Sequence, residues 1–476
     1  FGEENTYYAN SLHNLANVYL DTNKFDLSEE SYLKTISIRE KIIGKENSDY
    51  ANSINSLAIL YCYKSQFNRA KPLFEEAKGI REKLYGKEHP DYAQCLDNLG
   101  NVYSSMGDFD EAEPLYLESM RIRKKILGKQ SLAYVNSLNN LAVFYYQIGR
   151  YEAVEPLFLE AKSLVDIAYG KNSIEYGAIL TNLSVVYLNL GNYDAAEKTS
   201  LEALSVYEKT VGRLSADYAS SLNNLAILYK VMGRYKLAEP FYIEAKNIRE
   251  KLFGKTSADY AVSLMNLANL YSQMKAFETS ESYYAEAKPM LENAFGKEHR
   301  NYLQLLNNLA NVYQQTDRLS DAENLHLEIL SVREKTIGRK HLDFVQTLHN
   351  LAGLYNSMKR FKESEKLYLD ALDIQEQLTS KEHASYVMSL NNLAVLYWDS
   401  DQIEKAIPKY CQANLLQRNL IIENSKFLSE NELAGYAQTF LGYLDGFFSF
   451  MQSKTASVSQ VISVSYDNAL FHKGFL

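Results

Sequence analysis

The hydrophobic and polar positions of this chain recur in blocks of 42 residues. The stretch S-L-N-N-L-A-V-F-Y at Ser137 to Tyr145 returns as S-L-N-N-L-A-I-L-Y at Ser221 to Tyr229 and as S-L-N-N-L-A-V-L-Y at Ser389 to Tyr397. Its central leucine falls at positions 15, 57, 99, 141, 183, 225, 267, 309, 351 and 393, ten copies with no insertion or deletion. A fixed period of this size marks a stacked repeat array. Length alone would suggest about three domains, but the period predicts one all-α solenoid over residues 1–420.

Copies are numbered 1 to 10 by their central leucine. In copy 2, Tyr50, Ile54, Leu57, Ala58 and Tyr61 fall at helical spacing and predict a first helix, A. The polar run Lys64-Ser65-Gln66 ends it. A second helix, B, follows from Phe67 with Ala70, Phe74, Ala77 and Ile80 facing inward, and Gly86 closes it.

Each recurring residue has a physical job. The glycines at 44, 86, 128, 170, 212, 254, 296 and 338 suit a left-handed position that stops helix B. A Lys or Arg follows each of them, beside the negative end of the helix dipole. Tyrosine ends helix A in every copy, from Tyr19 to Tyr397, and a second aromatic opens it. Small residues such as Ser28, Ala70, Ala112, Ala238 and Ser280 allow helices A and B to approach closely. Val154 is the one bulkier occupant.

With Leu57 placed at the seventh position of a tetratricopeptide repeat, Ala58, Tyr61, Ala70, Phe74 and Ala77 fall on that family's signature sites. The unit is 42 residues rather than the usual 34. With L-N-N-L-A and I-R-E-K-x-x-G it resembles the repeats of kinesin light chains and of bacterial sensor proteins. The resemblance implies a right-handed α-solenoid of about ten helix pairs, with the A helices lining a concave surface.

On that surface the position before the central leucine is Asn14, Asn98, Asn140, Asn182, Asn224, Asn266, Asn308, Asn350 or Asn392, with only Ser56 departing. Asparagine is a middling helix former, so its repetition mid-helix needs a reason. Its amide carries a donor and an acceptor, matching both groups of a peptide bond. Two roles are open: gripping the backbone of an extended peptide or protein segment, or bonding neighbouring repeats. The adjoining position, two before the leucine, varies and includes Asn139, Asn223, Asn307 and Asn391, which join the candidate binding set. After the helix A tyrosine, only Lys230 is cationic, which argues against a clamp for acidic C-terminal tails. Trp398, the single tryptophan, is expected to pack against residues 421–476.

Net charge is −9, from 59 acidic and 50 basic side chains, which argues against nucleic acid as a direct partner. No apolar run reaches membrane-spanning length and no signal peptide opens the chain. Cys62, Cys95 and Cys411 have no metal or redox spacing and read as small hydrophobes in a reducing, cytoplasmic setting. His89, His299, His341 and His383 fall in inter-repeat turns, where a polar residue before helix A is expected. Glu111, Glu113 and Glu118 read as helix-surface charge. No phosphate loop, metal set or catalytic dyad is legible, so neither cofactor nor catalysis is expected of these residues.

Phe1-Gly2 aligns with Ile43-Gly44, so the chain opens part-way through a repeat and is expected to be a fragment. After Leu420 the period fails. Residues 421–476 are expected to form capping helices over 429–451 and 457–471. F-L-S-E-N-E-L at Phe427 to Leu433 and A-L-F-H-K-G-F-L at Ala469 to Leu476 resemble the linker of bacterial CHAT-domain proteases, which are caspase- and separase-like. That likeness implies a protease domain in cis beyond Leu476, with His472 a linker residue rather than a catalytic one. The expected function is a sensing scaffold that regulates such a protease. A kinesin-light-chain-like cargo adaptor and the sensor region of a nucleotide-dependent signalling protein are the alternatives.

Overall fold

A computed structural model describes residues 5–22, 24–150, 153–378 and 384–424. These residues form twenty helices and no strand. Successive elements are helices A and B of the ten copies, from Thr6–Asp21 with Phe25–Ile43 to Ala384–Asp399 with Ile403–Asn424. The chain forms two compact units, Phe1–Val186 with Ala196–Leu305, and Tyr187–Ala195 with Leu306–Leu476. Helix A packs on helix B of its own copy in copies 1–4, 6, 7, 9 and 10, and helix B packs on helix A of the next copy in copies 1–3, 6, 8 and 9. The expected capping helices, the linker motifs, His383 and His472 lie outside the described residues.

The small helix B residues do bring the helices together. Ala70, Ala112 and Ala238 are fully buried. Where serine replaces alanine, its hydroxyl donates to a helix A carbonyl: Ser28 to Ala16 at 2.9 Å and Ser280 to Ala268 at 2.7 Å. Ser364 repeats the bond to Ala352 in the second unit, at 2.8 Å. Val154 is accommodated with no exposure.

Four helix B positions on, every copy but the fifth, which has Ser200, carries an aromatic ring, and in copies 1 to 4 its polarity is matched across the pair. The Tyr32 and Tyr116 hydroxyls donate to Asn17 and Asn101 of helix A at 2.5 and 2.7 Å. Where helix B carries Phe74 or Phe158, helix A carries Ile59 or Val143 instead. Tyr242, Tyr368 and Tyr410 depart from the match, facing Ile227, Gly353 and Val395 by register, and the buried Tyr242 hydroxyl has no partner among the described residues.

The glycine that ends helix B is not in the left-handed helical region expected of it. Gly44 and Gly86 have φ of 76° and 75° with ψ of 173° and 175°. This is the extended region at positive φ, which only glycine occupies readily. It redirects the chain at once into helix A of the next copy. There Ser131 accepts the Tyr134 N–H and donates to the Gly128 carbonyl, so one hydroxyl joins the two helix ends.

The helix A tyrosines do more than pack. Tyr61, Tyr145, Tyr229 and Tyr271 donate to Glu29, Glu113, Glu197 and Glu239 on helix B of the preceding copy, at 2.6 to 3.1 Å. Tyr355 and Tyr397 do the same to Glu323 and Glu365 in the second unit. Glu113 is therefore a stitch between copies rather than plain surface charge, and Arg150 pairs with it at 2.6 Å. Trp398 packs on the copy 10 core with Tyr397, Tyr410 and Ile421.

Candidate functional site

The candidate asparagines sit midway along the A helices, where the flanking leucine and alanine are buried. Asn98, Asn140, Asn182, Asn224, Asn266, Asn308, Asn350 and Asn392 are half-buried, whereas Asn391 is fully buried. Their hydrogen bonds divide them into two sets.

In the first unit, the Asn98 amide donates to Asn55 at 3.0 Å, Asn182 to Asn139 at 2.6 Å, and Asn266 to Asn223 at 2.7 Å. In the second, Asn350 donates to Asn307 at 2.5 Å. Each bond spans 43 residues and joins the position before the leucine to the position two before it in the preceding copy. Asn140, Asn224, Asn308 and Asn392 make no side-chain hydrogen bond among the described residues. The reason lies in the residues 43 positions earlier. Those are Asp97, which pairs with Arg123, Thr181, whose hydroxyl bonds the Gly177 carbonyl, Met265, which has no side-chain oxygen, and His349, whose Nε2 meets Ser389.

The array thus alternates with a double period of 84 residues. Asn55, Asn139, Asn223, Asn307 and Asn391 occupy the even copies, while His13, Asp97, Thr181, Met265 and His349 occupy the odd ones. The alternation is present in the sequence, where it passes for simple variability.

The odd-copy residues serve the core. Asp97 is buried and pairs with Arg123 at 2.5 Å. Burial raises the Asp97 pKa while Arg123 opposes the rise. The Nε2 of His349 meets Ser389 at 2.8 Å, and burial pulls the imidazole down to about 4. Arg123 belongs to a second connection that sequence reasoning missed. It donates to the Ala133 carbonyl and to Ser137 of the next helix A, as Arg81 does to the Asp91 carbonyl and Cys95. These arginines recur 14 residues before the small residue that opens the helix A motif, Cys95 or Ser137 here and Ser53 for Arg39, and that spacing stands in the sequence.

Lys230, the one cation in its series, is half-buried, and burial lowers its pKa. Of the turn histidines, His89, His299 and His341 cap helix A through Nδ1, each accepting a backbone N–H at 3.0 to 3.2 Å. Cys95 is buried, whereas Cys62 and Cys411 are partly exposed. Among the described residues no three His, Cys, Asp or Glu side chains converge as a metal site. No described helix is long and apolar enough to cross a membrane.

Helix pairs stacked at a 42-residue period, stitched from helix B to the next helix A, define a helical-repeat scaffold. The tetratricopeptide repeat model matches residues 7–82, 49–125, 133–209, 217–293, 264–335 and 343–413, and the chain belongs to this family. Among solved structures, the chain is similar to BtubC (BKLC) from P. vanneervenii. Identity is 24% over 48% of this chain and 92% of that one, with a TM-score of 0.40. It is also similar to a putative kinesin light chain from Podosopora anserina, at 21% identity over 43% and 97% of the chains and a TM-score of 0.39. A Rap protein complexed with competence and sporulation factor is 11% identical over 78% and 98%, with a TM-score of 0.51. The likeness to the Rap protein concerns the fold alone. A comparison with curated protein sequences finds no match. The tetratricopeptide region is a scaffold suited to binding protein partners.

Proposed function

We propose that the chain binds an extended peptide segment of a protein partner across its A helices. The half-exposed amides of Asn140 and Asn224 grip such a segment's backbone in one unit, and those of Asn308 and Asn392 form a separate pair of the same kind in the other. The observation that carries this reading is that they have no side-chain partner among the described residues, beside counterparts in alternate copies that are bonded. Each free amide offers a donor and an acceptor to a peptide bond. Asn98, Asn182, Asn266 and Asn350 keep one N–H after bonding their neighbours and act as secondary contacts, whereas Asn139, Asn223 and Asn307 align them.

The finer assignment is to the regulatory region of a bacterial repeat–CHAT protease in the cytoplasm, with residues 1–420 as solenoid and 421–476 as cap and linker. It rests on the motifs at Phe427 to Leu433 and Ala469 to Leu476. Reading the parent coding sequence past Leu476 tests it. A domain bearing a His and Cys pair is expected, and its absence points instead to a free-standing adaptor. For the groove, partner capture by a quadruple Asn140, Asn224, Asn308 and Asn392→Ala chain decides. Lost capture with an unchanged melt supports the proposal, and retained capture refutes it.

A further inference from the structure

In the first unit, the corner between helix B of copy 7 (Phe277–Phe295) and helix A of copy 8 (Arg300–Gln315) meets copies 1 to 3. The Phe295 ring stacks on Phe25 at 5.6 Å between centroids, and Phe25 lies 6.3 Å from Tyr63. His299 stacks on Phe295 at 4.2 Å, and its ring lies beside the Tyr63 backbone. The matching corner side chains Tyr85, Tyr169 and Phe253 are 40 to 46% exposed. His89 stacks on Tyr85 in the same way at 4.4 Å, without such cover. The copy 7 corner is therefore held by residues more than 200 positions away.

A cleft of about 450 Å³ opens beside this contact. Ile59, Phe67 and Phe74 supply apolar walls, Asn98 and Asn101 supply amides, and Arg300 is its one permanently charged lining residue. Arg300 is exposed and makes no ion pair among the described residues. No Asp, Glu or Lys lines the cleft. Asn98 gives one N–H to Asn55, and Asn101 uses only its carbonyl, toward Tyr116, so both keep an N–H to donate. Two further lining groups are neutral near pH 7. Burial pushes the Cys62 thiol up to about 12, and burial with the nearby Arg300 charge pulls His299 down to about 4.

One fixed positive charge, free amide donors and an aromatic wall in a space of ligand size form a recognition set. We propose that this cleft binds a carboxylate carried on an apolar group, oxygens toward Arg300 and Asn101, and apolar body against Ile59, Phe67 and Phe74. A bound acid touches both sides of the contact and so holds the copy 7 corner against copies 2 and 3. The proposal does not use Asn140 or Asn224 and shares only Asn98, a secondary contact there, with the groove reading. The acid is either a peptide C-terminus with an apolar last residue or a free small apolar acid.

Isothermal titration of the full chain tests this with three probes: N-acetyl-leucyl-phenylalanine, its C-terminal amide, and 4-phenylbutyrate. At least one acid is expected to bind, and the amide should bind about tenfold more weakly or worse, as a lost charge-assisted hydrogen bond requires. Arg300→Gln should weaken the acid by the same factor with the melt unchanged, and Ile59→Trp should abolish binding by filling the space. Binding of the peptide acid alone identifies a peptide terminus, whereas phenylbutyrate binding identifies a free acid. No heat with either acid overturns the proposal. So does equal binding of acid and amide, or an Arg300→Gln chain that binds as the native one does.

Discussion

The amide of Asn182 donates to the carbonyl oxygen of Asn139 at 2.6 Å, across 43 residues and from one repeat to the next. Both belong to the polar pair that interrupts an otherwise apolar helix A, and the bond gives the two members different work. Asn139 is consumed in holding the array, while Asn140 beside it has no partner among the described residues. The same division recurs at Asn223 and Asn224 with Asn266 as donor.

A division of labour of this kind predicts opposite mutational signatures. Asn182→Ala should leave the half-buried Asn139 amide without its donor and cost about 1 kcal/mol. Asn140→Ala, losing no intramolecular bond, should leave stability within about 0.5 kcal/mol of native. Urea unfolding of the two variants checks this. Equal losses would mean that the alternation has no energetic meaning.

Close approach of the two helices of a copy rests on the fully buried Ala238 and its counterparts. Ala238→Leu adds three heavy atoms to a filled site, and overpacking of that kind costs about 1–3 kcal/mol. Ala238→Ser should be far milder, because serine at this position in copy 7 bonds the helix A carbonyl. A calorimetric melt of both chains separates a volume effect from a polar one.

The repeat frame was legible because its residues act locally. Period, stopping glycines, terminal tyrosines and small helix B residues each reflect a neighbour within one copy or the next. Even the Tyr–Asn match between Tyr32 and Asn17, or Tyr116 and Asn101, stands in the sequence as an internal covariation. The asparagine alternation was visible too, but without the 43-residue bond it looked like free variation. The arginine connection could also have been read, since Arg39, Arg81 and Arg123 each stand 14 residues before a small residue they bond, Ser53, Cys95 and Ser137. The Phe25–Phe295 contact had no such signal, because it depends on small rotations summed over seven copies.

Tyr242 is one place where the internal covariation fails, and failure there has a sign. Its hydroxyl is buried with no partner among the described residues, and Ile227 stands where Tyr32 and Tyr116 find asparagine. An unsatisfied buried hydroxyl costs about 1–3 kcal/mol. Tyr242→Phe should therefore stabilise the chain, by about 1 kcal/mol, an outcome rare for core substitutions. A lowered denaturation midpoint in Tyr242→Phe would show that the hydroxyl is satisfied.

Acid sensitivity follows from the buried histidines of copies 8 and 9. His326 is fully buried with neither ring nitrogen bonded among the described residues, and burial pulls its pKa from 6.5 to about 4. His349 is pulled down as far, also by burial. The folded chain keeps both rings neutral, so between pH 6.5 and 4 the unfolded chain binds protons that the folded one refuses. Stability is then flat above pH 6.5 and falls as the pH drops toward 4, by about 1.4 kcal/mol per pH unit for each ring. His326→Phe, the residue that copies 2 and 4 use at this position, should remove one ring's share of that slope. Melting temperatures across pH 7 to 4.5 test the sign directly: native and His326→Phe chains should diverge as the pH falls. Parallel curves would mean that His326 does not titrate differently on unfolding.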